Sequence, residues 1–132
     1  LIYQIRIGSS NYTSSYYGAI GYDYADLNNS TGSNTNRTSW NGSYNWLTQG
    51  DTISSGTSEA RTSGTIDIFN PLATTHHKFI TSLIPITRGG SDVIGFNRGY
   101  GFCSNNSALS GIRIYPNAGN MAEGNFKLYG IK

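Results

Sequence analysis

Short runs of alternating apolar and polar residues punctuate this chain. Tyr3, Ile5 and Ile7 alternate with Gln4 and Arg6, Ile66 and Ile68 flank Asp67, and Ile112 and Ile114 flank Arg113. Successive side chains of a strand point to opposite faces, so each run predicts a strand with one buried face. Further strands are predicted over 16–24, 44–48, 78–86 and 93–103. Pro85 predicts an edge or a bulge near the end of its strand. A closing run at 124–131 is expected to fold back antiparallel on 111–115, through a connection rich in turn formers. About eight short strands and no helix predict an antiparallel β-sandwich of jelly-roll type, with an up-and-down barrel second. The expected core holds Ile5, Ile7, Ile66, Ile68, Ile112, Ile114, Phe126 and Leu128.

Composition supports this class. Only 12% of residues are charged, while Gly (17) and Tyr (10) are abundant. Gly and Asn serve turns, and Thr and Tyr serve strands. An aromatic share of 13% supplies the apolar surface that disordered polar chains lack. The 132 residues fit one domain, 1–132. Nine basic residues and a net charge of +2 are spread along the chain, without the basic face that nucleic-acid binding needs. No apolar run approaches the ~18 residues of a membrane-spanning helix. A single cysteine, Cys103, excludes an internal disulfide and is expected as a small core residue. Residues 27–43, almost without apolar side chains except Trp40, are expected to form a long surface loop.

Catalytic and metal chemistry find little footing. Seven carboxylates fall in no recognisable motif, and no serine sits in a nucleophile elbow. Asp23 and Asp26 lack the density of oxygen ligands that a calcium loop shows. His76 and His77 are adjacent, and neighbouring residues of a strand point apart, so one metal is not easily shared. The expectation is therefore a protein without enzymatic activity, metal or cofactor. What remains is aromatic residues among polar ones. Trp40 and Trp46 flank a segment holding Asn41, Ser43 and Asn45. Sugars stack on aromatic rings while amides and hydroxyls take their hydroxyl groups, so these five residues form a candidate ligand site. The plainer alternative makes Trp46 a core residue and Trp40 a packing contact.

Ile112-Arg113-Ile114, Gly119-Asn120, Gly124 and the ending Leu128-Tyr129-Gly130-Ile131 form a pattern, joined by the strand from Gly64 into the Asn70-Pro71 turn. It resembles the C-terminal domains of tailed-phage virion proteins, over about half the chain. The resemblance implies a virion location at the tail or surface, a homotrimer, other virion proteins as partners, and recognition of a host-surface glycan. It equally implies a structural alternative, a capsid decoration or assembly-stabilising knob without a ligand. A glycan-degrading spike domain is a third. The chain opens on a strand at Leu1 and is expected to be the C-terminal part of a longer virion protein. In the closing run, Phe126 and Leu128 share one face while Tyr129 and Ile131 share the other. One sheet face cannot bury both sets, so Tyr129 and Ile131 are candidate contacts to another chain or domain.

Overall fold

The alternating run at the start forms β1 (Ile2–Ile7), and turn chemistry places its first neighbour. In the two-residue loop Gly8-Ser9, only Gly8 takes a positive φ, 61°, the pattern of a type II′ hairpin turn. The chain reverses at once, and β2 (Ser10–Asn11) pairs with β1, Ile7 opposite Ser10. On the same side of β1, β5 (Asn45–Trp46) lies opposite Ile2 and Tyr3. The other side carries β9 (Gly111–Tyr115), antiparallel over Ile2–Arg6. This sheet has four strands but is three across. Between the stretches paired to β2 and β5, the Ile5 N–H donates to Tyr16 Oη at 2.8 Å, so a side chain closes the gap in the ladder.

The computed structural model describes residues 1–11, 16–26, 33–48, 62–88, 93–116, 118–121 and 123–130. Among them the chain is all-β, without a helix. The remaining strands are β3 (Tyr16–Asp26), β4 (Ser33–Gly42), β6 (Thr65–Phe69), β7 (Lys78–Arg88) and β8 (Val93–Cys103). They form a five-stranded antiparallel sheet in the order β4-β3-β8-β7-β6. β6, β7 and β8 are a meander, and β3 returns to lie beside β8, which is a Greek-key adjacency. A jelly roll carries two Greek keys; the pairing traces one, within this sheet.

The two sheets face each other across a core of Tyr3, Ile5, Tyr16, Leu47, Ile80 and Cys103. Ile7, Ile66, Ile68, Ile112 and Ile114 pack on it half-buried. Their partial exposure follows from position. β6 and β9 are edge strands with one flank uncovered, and Ile7 ends β1. Ile84 and Ile86 form a second cluster against Ile66. Cys103 is fully buried as expected, and burial pushes its thiol up to about 12.

Local chemistry fixes the ends of β6. At its start, Gly64 takes φ 145°, and a Cβ there would lie 2.2 Å from the Leu83 carbonyl oxygen, so only glycine fits. At its end, Asn70 takes φ 51° and its carbonyl accepts the Ala73 N–H at 3.1 Å, with Pro71 between them in a β-turn. Pro85 lies in an interior strand without a bulge, opposite Phe96 of β8, and only its other flank runs past the β6 ladder. Its carbonyl accepts from Thr62 Oγ1 at 3.0 Å, on the flank of β7 beyond the last residue paired to β6. A missing N–H is tolerated on such a flank.

Two expectations are corrected. Residues 33–42, within the expected surface loop, form β4, an edge strand paired along β3. Its sequence carries no apolar alternation, so only the pairing along β3 reveals it. Conversely, 123–130 form no strand, and 111–115 pair with β1 rather than with the closing run. Phe126 (64% exposed) and Leu128 (93%) are therefore outside the core. Their alternation lacks a pairing partner within the described residues.

Candidate binding face

β8 is amphipathic in an unusual sense. Its inward positions carry Gly95, Asn97, Gly101 and Cys103, all buried, with Gly99 half-buried among them. Its outward positions carry Phe96, Arg98, Tyr100 and Phe102. The large apolar side chains of this strand thus face away from the core. β7 repeats the theme on its outer face. Lys78, Ile80, Ser82, Ile84 and Ile86 point inward, while Phe79 and Leu83 stand 57% and 43% exposed.

Register gathers these residues into a row. Phe69 lies opposite Phe79, Phe79 opposite Phe102, and Phe102 opposite Tyr17, across β6, β7, β8 and β3. Tyr17 and Phe102 stack with centroids 4.9 Å apart and planes at 17°, and Phe79 tilts toward Phe102 at 5.9 Å. Tyr100, 66% exposed, flanks the row one pair along, opposite Thr81. Beyond Tyr17, β4 inserts an extra residue: Tyr16 pairs with Gly42 but Gly18 with Ser39. Trp40 and Asn41 form this bulge, opposite Tyr17.

A polar groove of about 500 Å³ adjoins the row, lined by Thr74, His77 and the 104–108 loop. His77 meets Phe102 edge-on at 5.7 Å and joins the two parts. The groove's walls are pinned from below. Lys78 is fully buried, and its ammonium donates to the carbonyls of Ala73 at 2.5 Å, His76 at 2.9 Å and Asn106 at 3.5 Å. One cation thus ties the 71–77 and 104–108 loops together, as does the Leu109 N–H donating to Pro71 O at 2.8 Å. Asn105 Oδ1 accepts the Ser107 N–H at 2.7 Å and shapes the rim. The arrangement can offer ring faces, amides, hydroxyls and an imidazole to a ligand.

The sequence-predicted residues divide between the sheets. Trp40 and Asn41 lie in β4 of the five-stranded sheet, whereas Asn45 and Trp46 form β5 of the other, opposite Tyr3 and Ile2. Ser43, exposed, lies on the crossing between them, and its carbonyl accepts from Gln4 Nε2 at 2.8 Å. The backbone thus carries Trp40 and Asn41, but not Asn45 and Trp46, to the aromatic row. Tyr129 is 75% exposed, and Ile131 lies outside the described residues. Among the described residues no three His, Cys, Asp or Glu side chains gather to hold a metal, and no helix is long and apolar enough to cross a membrane. Phe79, Tyr100, Phe102 and Lys78 were legible only as members of strands; the signal for the face was the glycine spacing of β8, which leaves its large residues all on one side. Comparison with family models, curated proteins and solved structures returned no match.

Proposed function

We propose that this domain is a non-enzymatic phage virion module of tail-fibre or receptor-binding type. It contacts a host-surface glycan through the outer face of the five-stranded sheet. The observation that supports the reading is the outward placement of Phe79, Tyr100 and Phe102 on β7 and β8, against a β8 core face of glycines, Asn97 and Cys103. Folding gives no reason to set large aromatics in water. Sugar CH faces stack on such rings, and the neighbouring amides and hydroxyls of Asn105, Asn106 and Ser107 suit sugar hydroxyl groups. A single open face of this kind binds weakly, on the order of millimolar, and a homotrimer on a virion would raise the effective strength by linkage. A glycan-array screen of the chain tests the reading, with Tyr100→Ala and Trp40→Ala alongside. Signal on defined glycans, lost in Tyr100→Ala at an unchanged melting temperature, is the expected result. No glycan signal with the chain presented in multivalent form would sink it.

A structural knob without a ligand is the second reading. Leu72 (74% exposed) and Leu83 (43%) favour it, since they bring no polar tip to a sugar and suit a virion protein surface. In that case the chain would give no glycan signal, and Leu83→Ser would weaken assembly.

A further inference from the structure

Two unfilled elements of this chain match each other. Residues 123–130 form no strand and are exposed, with no hydrogen bond to any described residue. They keep strand-like alternation, Phe126 and Leu128 on one face, Lys127 and Tyr129 on the other. Among the described residues β9 carries a strand on one flank only, so its outer N–H and C=O groups have no ladder partner there. Ile112 and Ile114 of β9 pack on the core yet stay half-buried, with no strand among the described residues beside that flank. The core is thus open where an alternating apolar strand would close it.

We propose that the 123–130 segment of one copy adds as an edge strand to β9 of a neighbouring copy. Backbone hydrogen bonds would supply the affinity, and Phe126 and Leu128 would cover Ile112 and Ile114. Donor and acceptor are different elements, so the contact is head-to-tail, and repeated it forms a ring where the rotation between copies closes. The homotrimer proposed above is one such ring, but strand addition stands independently of glycan binding. It also accounts for an exposed leucine and tyrosine in one short segment, which a monomer would leave in water.

Light scattering of the 132-residue chain over a concentration series tests this, with Leu128→Asp and a truncation after residue 122. Because the segment holds no hydrogen bond to the described residues of its own chain, neither variant should lower the melting temperature of the isolated subunit. The expected result is self-association whose dissociation constant rises at least about tenfold in both variants, about 1.4 kcal/mol. Hydrogen exchange should show β9 amides losing protection in parallel. A monomer at every concentration overturns the proposal. So does an oligomer indifferent to both variants, or β9 protection that is independent of concentration, which would mark a hairpin within one chain.

Discussion

The two faces of β7 obey different rules. Inward, Ile80 and Ile84 are buried and Lys78 spends its whole ammonium on three carbonyls. Outward, Phe79 and Leu83 remain about half in water, beside Phe69 and Tyr100. The inner face is accounted for by folding, since Ile80, Ile84 and Ile86 pack in the core clusters and Lys78 has its hydrogen-bond partners. The outer face is not, since its exposed apolar area contributes little to stability. One strand therefore carries a core face and an exposed apolar face back to back, and the difference separates what makes the domain from what the proposed function must explain.

The comparison breaks first at the core. Ile80→Ala should destabilise the domain by about 2–5 kcal/mol in denaturant melts, the range for truncating a buried aliphatic residue. A loss below that seen for an outer-face truncation would mean the faces had been assigned the wrong way round. Gly64→Ala should follow at about 1–3 kcal/mol or more, because a Cβ meets the Leu83 carbonyl and the φ of 145° is strained for any other residue. Tyr16→Phe should cost about 1–3 kcal/mol by leaving the buried Ile5 N–H without its acceptor. Unchanged stability there would show that the gap between β2 and β5 is closed by something else.

Alkaline titration sharpens the same contrast. Burial raises the Cys103 thiol from 9.0 to about 12 and raises the Tyr16 phenol well above 10.0. Both groups then hold their protons in the folded state at pH values where the unfolded chain has lost them. Their contribution to stability is whole below pH 9.0 and falls as pH rises toward about 12, with Tyr16 adding to the loss above pH 10.0. Chemical melts between pH 8 and 11 should show this decline, and Cys103→Ala should make it shallower. Native Cys103 should also resist thiol reagents until the protein unfolds.

Much of the fold was legible in the sequence, and the failures share one cause. Period-two alternation located β6 and β9 because each packs one face on the core; it also located β1, but there Ile2 and Gln4 on the second face are buried too, against the expectation of a single buried face. β4 was missed because Ser33–Gly42 contributes backbone pairing and no apolar face. The closing run was overread because Phe126 and Leu128 alternate like a strand without a partner in the described chain. Alternation reports what a strand could bury, not what it pairs with. For the site, Trp40 and Asn41 were legible as unusual, and register sets them at a bulge opposite Tyr17. The aromatic row itself was not legible, since it joins Phe69, Phe79, Phe102 and Tyr17 from four strands whose alignment depends on long-range pairing.

The most direct test pairs binding with stability in one variant, Phe79→Ser/Tyr100→Ser. Both side chains stand more than half exposed, at 57% and 66%, so the expected loss of stability is under about 1 kcal/mol. Adsorption to the glycans identified by array should fall at least about tenfold, equivalent to about 1.4 kcal/mol. A variant that melts like the parent and no longer adsorbs is what the account predicts. A variant that unfolds readily, or one that adsorbs undiminished, would contradict the claim that this face exists for contact rather than for folding.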